Sequence, residues 1–151
     1  MPHTSVPLDI TSYWPEVHQH VLHILDIIPE DKLNWTPKPE LWNSRGILIH
    51  IADARDNWLT RDVKDGQDVP SIWTTVKTKD DIRREHERSF ARLQRFLGNG
   101  EQLDKTYTST WDGRPFSGHW IAYHLLEHDI HHRAELLQRL ALLDIDHGID
   151  I

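Results

Sequence analysis

His128 and His132 stand four residues apart in EHDIHHRAELLQRL, a stretch that otherwise repeats as an amphipathic helix. On a helix that spacing puts two imidazoles on one face, about 6 Å apart in rise. Both can then reach a single metal ion at about 2.0–2.1 Å. With Ile121 set at zero on an ideal helix, His128 falls at about 340°, His132 at about 20°, Leu125 at about 40° and Leu136 at about 60°. The two histidines therefore lie inside the apolar stripe and face a core. Each alone reads as a core histidine satisfied by a hydrogen bond. As a pair they read as two ligands of one ion, because unpaired buried imidazoles are costly and a shared cation removes that cost.

A third ligand must come from another element. His50, in ILIHIADARDNWL, sits about 60–70° from the apolar centre of its own helix. It is either a ligand facing the last helix or a histidine at the surface edge. His86 lies on the apolar side of a third helix, as a further ligand or, more simply, a hydrogen-bonded core group. His124 and His131 fall on the flank, at about 300° and 280°, as interhelical or solvent-edge groups. His18 and His20 flank the stripe of the first helix, with His23 further out, and all three read as solvated or partner-facing. Asp129 follows His128, so the His-Glu-x-x-His pattern of zinc proteases is absent. Glu135, at about 320°, either supports a ligand, supplies a fourth one, or forms a salt bridge on the helix flank. Arg133 either steers an anionic substrate or offsets acidic neighbours at the surface.

Four helices must position these groups. The first runs from about Tyr13 to Ile28, with Ser12 as cap, Pro15 in the first turn and Val17, Val21, Ile24, Leu25 and Ile28 as its stripe. The proline-punctuated PEDKLNWTPKPELWN follows. The second starts after Asn43 or Ser44, carries Ile47, Ile51, Ala54 and Trp58, and closes near Gly66. The third opens on Thr78, with Asp80 and Asp81 complementing the helix dipole, and stops at Gly98. KTYTSTWDGRPFS then carries Asp112-Gly113 between β-prone residues, a two-residue hairpin signal. Ser117 caps the last helix, which runs to about Leu142. The pattern predicts an all-α protein, a four-helix bundle with a small β-hairpin before the last helix, in one domain over residues 1–151.

Composition narrows the function classes. The chain has 151 residues, 38% hydrophobic and 27% charged, which suits a globular domain. Its net charge of -7 argues against broad nucleic-acid binding. No apolar run reaches the ~20 residues of a membrane span, and no signal peptide is evident, so the expected location is cytoplasmic. There are no cysteines, which excludes disulfides, thiolate metal sites and a cysteine nucleophile. Any thiol chemistry would need an external thiol.

These residues resemble the DinB/YfiT-like superfamily of metal-binding four-helix bundles. The matching features are LNWTPKPELWN leading into ILIHIADARDNWL, then WDGRPFSGHWIAYHLLEHDIHHRAEL. They span nearly the whole chain in order. Carried over residue by residue, the family's metal triad falls on His50, His128 and His132. Ala134 and Glu135 stand where the family often has Gly-Gln, and Glu127 where an asparagine is frequent.

The resemblance implies a divalent ion, zinc or nickel, and often dimerisation. It also implies a small-molecule substrate. Some relatives are thiol-dependent S-transferases or isomerases using a low-molecular-weight thiol as co-substrate, and others are suspected hydrolases. A metal-dependent thiol S-transferase is the expected activity, with a hydrolase or a non-catalytic, metal-stabilised protein as alternatives. In the latter, Glu135 or His86 would fill the fourth position. A second apolar row on the last helix, Leu126, Ile130 and Leu137, serves either a homodimer or a second neighbour within the bundle; the family habit favours the homodimer.

Overall fold

The structure, a computed structural model, describes residues 10–151. α1 (Ile10–Ile27) is followed by a short 3-10 turn over Glu30–Lys32. α2 (Ser44–Asn57) begins where the Asn43 side chain accepts from the Gly46 amide at 2.8 Å. It runs on into a π-helical turn, Trp58–Val63, which stops at Lys64 in the left-handed conformation. α3 (Lys79–Leu97) starts with a reciprocal capping box between Thr78 and Asp81. The short α4 (Gly100–Asp104) leads to strands β1 (Thr106–Thr108) and β2 (Pro115–Ser117), which pair antiparallel. The Ser117 hydroxyl then caps α5 (Gly118–Leu142) by accepting from the Trp120 amide.

α1 packs on α5 and α3, and α2 packs on the same two, so the helices are ordered α1–α5–α2–α3 around the bundle. Consecutive α1 and α2 thus lie across a diagonal, as do α3 and α5. That is why each of those pairs is joined by a long connection while the site-bearing α2 and α5 become neighbours.

The core is divided. One apolar cluster gathers Val21, Ile24, Leu25, Ile47, Ile51, Ile82 and Leu136, and a second gathers Trp14, Val17, Leu59, Phe90, Leu93, Ile121 and Leu125. Between them in sequence, on all four long helices, come buried polar residues: His18, Arg55, His86, Ser89 and Asp129. Buried polar groups require partners, and those of this layer decide much of the site.

Four sequence expectations are corrected. The described part of α1 already includes Ile10, so Ser12 lies inside it rather than capping it, and Pro15 lies beyond its first turn. Fully buried Trp14 and Val17 hold that end by packing, which offsets the hydrogen bond Pro15 cannot donate. The strands are joined by six residues, not two. Asp62 holds the Thr110 amide at 3.0 Å, and the chain turns within a Ser109–Arg114 pair, with Gly113 at φ 72. Leu126 and Leu137 are buried in the chain's own core, with Ile130 packed against it, so this row serves a neighbour within the bundle. His18 is buried rather than solvated, stacked on Phe90 of α3 at 4.0 Å between ring centroids.

Candidate metal centre

α2 supplies His50 and α5 supplies His128 and His132. One nitrogen from each of the three lies within 4.8 Å of the other two. The rings form one cluster, with centroids 4.7 Å apart for His50–His128, 4.9 Å for His50–His132 and 4.4 Å for His128–His132. His128 Nε2 and His50 Nε2 face each other at 2.9 Å. A tetrahedral ion at about 2.0–2.1 Å from each would hold them about 3.3 Å apart, so a small opening admits it.

The donor set fits such an ion in charge as well. Ligating imidazoles must be neutral. Burial first, then the neighbouring His128 and His132, push the His50 pKa down to about 4. Burial also lowers that of His132, against an opposing hydrogen bond to Glu135. The Glu135 carboxylate accepts from His132 Nδ1 at 2.7 Å, which orients the ring and leaves Nε2 free to serve an ion.

The other histidines are used elsewhere. His86 is fully buried and donates from Nε2 to the Leu48 carbonyl at 2.6 Å. His20 accepts from Arg133 Nη1 at 2.9 Å, and exposed His23 donates to the His147 carbonyl at 2.8 Å. Arg133 therefore turns to α1, where it also reaches the Tyr13 hydroxyl at 3.4 Å, and not to the triad. Exposed His131 lies beside His132 and Glu135, in a second, overlapping group. His124 stacks on Trp120 at 4.9 Å and lines a cavity.

That cavity, of about 350 Å³, opens beside the triad. Its walls include His50 and His128 with Ala54, Trp58, Trp111 and Arg61. The Arg61 guanidinium lies over the Trp111 ring at 4.7 Å. Asp62 anchors the hairpin loop that carries Trp111, so the π-helical turn builds one wall and fixes another. On the far side of His50, Trp42 meets its ring edge-on at 4.7 Å.

The sequence profile of the DinB superfamily matches residues 14–136. The chain belongs to the DinB superfamily. Among solved structures, it is similar to YjoA of Bacillus subtilis, a DinB-like protein. The TM-score is 0.72 at 17% identity, covering 94% of this chain and 95% of that one. It is also similar to YfiT of Bacillus subtilis, described as a probable metal-dependent hydrolase with an unusual four-helix bundle topology. There the TM-score is 0.62 at 15% identity, covering 97% and 94%. At these identities the likeness is one of fold. A search of curated protein sequences finds no match. Among the described residues, no helix is long and apolar enough to cross a membrane.

The sequence pattern gives Arg55 and Trp14 no role, and Asp129 only that of excluding the His-Glu-x-x-His pattern. Arg55 and Asp129 are both wholly buried and paired at 2.7 Å. The Trp14 indole donates to the same carboxylate oxygen, Oδ2, at 3.0 Å. Arg55 Nη1 also reaches the His86 carbonyl and the Ser89 hydroxyl, both at 3.3 Å. This node joins all four long helices, one residue from His128.

Proposed function

We propose that this DinB-superfamily protein holds one divalent ion, zinc or nickel, on His50, His128 and His132, and transfers a small electrophile onto a low-molecular-weight thiol. The observation that carries the reading is that His50 and His128 form part of the cavity wall. A molecule in that cavity lies against two of the three ligand side chains. When bound, the ion would lower the pKa of a thiol or water, supplying a nucleophile at neutral pH.

The chain's own residues supply the rest. Glu135 orients His132. Trp58 and Trp111 offer flat apolar walls to a bound substrate, and Arg61 places a cation beside them. With no cysteine in the chain, the sulfur comes from the co-substrate. An S–C bond forms as a C–Cl or epoxide C–O bond breaks. The departing chloride or alkoxide takes the electron pair, and the thiol proton passes to solvent or to the alkoxide.

His86 is engaged with Leu48, and Glu135 is engaged with His132. Neither closes the triad, which favours an enzyme over a non-catalytic, metal-stabilised protein. The second reading is a hydrolase, in which water takes the thiol's place. Its support is the fold likeness to YfiT, described in those terms. A cytoplasmic setting and a homodimer belong to the same proposal.

The test strips the protein with a chelator, reloads it with zinc or nickel, and supplies a panel of cellular thiols with a chlorinated or epoxide electrophile. Conjugation is expected above the uncatalysed rate and lost in His128→Ala. Metal-dependent ester or amide hydrolysis with no thiol turnover would favour the hydrolase. Neither activity, with metal bound, would leave the non-catalytic role.

A further inference from the structure

A buried ion pair is a poor source of stability. Desolvation of the two charges offsets their attraction, and apolar residues of like volume often do as well. Arg55 and Asp129 nevertheless form such a pair, both wholly inaccessible, in the middle of the bundle. Its hydrogen bonding is lopsided. Asp129 Oδ2 accepts from both Arg55 Nη2 and Trp14 Nε1, while Oδ1, also buried, has no hydrogen-bond partner among the described residues. His128 Nδ1 lies 3.8 Å from Oδ1, and it too is buried with no hydrogen-bond partner among the described residues. Two complementary orphans thus lie about 1 Å beyond hydrogen-bond distance, and a shift of about that size would join them.

We propose that Asp129 is the positioning residue of the metal site. Its Oδ1 accepts the Nδ1 proton of His128, and Arg55 and Trp14 hold the carboxylate from behind. This makes His128 the Nδ1–H tautomer, with the Nε2 lone pair turned to the site. It also assigns a second proton. His128 Nε2 then has none to give across the 2.9 Å contact with His50 Nε2, so in the metal-free protein His50 must be the donor, as the Nε2–H tautomer. For an arriving ion, one ligand atom would already be free, and His50 would have to pass its proton from Nε2 to Nδ1, through solvent, to free the other. His132 is treated alike by Glu135, so each of the two α5 histidines of the triad has a carboxylate behind it, one half-exposed and one at the core.

The inference rests on the proposed ligand role of His128 but can be read without any metal. Long-range proton–nitrogen correlations of the imidazole rings, recorded on chelator-treated full-length protein, report each tautomer. We expect Nδ1–H at His128 and Nε2–H at His50, and Nε2–H at His128 overturns the proposal.

Asp129→Asn supplies the second arm. Arg55 and Trp14 are both donors, so they retain the amide oxygen and turn its NH2 toward His128 Nδ1. His128 must then become Nε2–H, and zinc affinity, measured by competition with a chromogenic chelator, should fall about 10–100-fold. Trp14→Phe removes a hydrogen bond from Oδ2 alone. It is expected to cost stability while leaving the His128 tautomer unchanged, which separates positioning from mere structural support. Unaltered zinc affinity and tautomer in a folded Asp129→Asn protein overturn the proposal and leave the metal site standing. The expected tautomers in a wild-type protein that binds no zinc would do the reverse. Should the Asn variant not fold, the wild-type tautomers decide alone.

Discussion

Lowering the pH from 7 to 5 should destabilise the metal-free protein through His18 and His86, the two histidines of the polar layer that have no part in the triad. Burial first, then the adjacent Arg55 charge, push His86 from 6.5 down to about 3 and His18 down to about 4. Both are neutral in the folded protein, whereas the unfolded chain protonates them near 6.5. The folded state therefore binds fewer protons below 6.5. Its stability is intact above that pH and is lost as pH falls from 6.5 toward the folded values. At pH 5 each histidine has given up about 1.5 pH units of linkage, or roughly 2 kcal/mol. Together they remove about 4 kcal/mol, a large share of the 5–15 kcal/mol by which domains are stable. Urea unfolding at pH 7, 6 and 5 measures the loss. His50 and His132, lowered chiefly by burial, add in the same direction, so the comparison that isolates the effect is between proteins. His18→Phe can keep the stack on Phe90, and His86→Gln can still donate to the Leu48 carbonyl. Whatever its stability at pH 7, each variant should lose roughly 2 kcal/mol less than wild type on acidification. A wild-type loss below about 1 kcal/mol, or variants with the full wild-type loss, would refute the reasoning.

Three further outcomes are expected. After stripping and reloading, His86→Gln should retain stoichiometric zinc or nickel by elemental analysis while His128→Ala loses it; the reverse order would move the site. Gly118→Ala would put a methyl 2.3 Å from the Gln102 carbonyl oxygen and 2.6 Å from the Leu103 Cα, backbone atoms that cannot swing away. It should cost about 1–3 kcal/mol in urea unfolding, and a change within about 0.5 kcal/mol would show that α4 is free to shift. A homodimer is expected by light scattering at micromolar concentration. Because Leu126 and Leu137 are buried within the chain, the dimer must use another surface, and a monomeric mass would refute it.

The parts of the site that were legible are those fixed within one element. His128 and His132 share a helix, so its periodicity alone sets their relation. The Thr78 and Ser117 caps are likewise local, and the structure has both. What failed to read depended on another element. The row Leu126–Ile130–Leu137 is apolar by its spacing, but spacing does not say whether the covering surface is a second chain or the chain's own helices. His18 sits at the edge of its stripe, and only Phe90 on α3 decides that it is buried. The hairpin loop is long because Asp62, 48 positions before Thr110, holds the Thr110 amide.

Arg55 and Asp129 are a different case, because a local signal did exist. On the ideal wheel that places His128 at about 340°, Asp129 falls at about 80°, between Leu136 at about 60° and Leu140 at about 100°. Arg55 falls at about 80° from Ile47, between Ile51 at about 40° and Leu48 at about 100°. A charge inside an apolar stripe must be neutralised or paired, and opposite charges inside two stripes are each other's natural partners. Applied to these two residues, that rule joins α2 to α5 before any coordinates are known. It also makes His50 and His128 neighbours, since each lies within a turn or so of one member of the pair. The place of His50 beside the last helix, which the wheel of α2 alone left open between a surface edge and the site, follows from the ion pair behind it.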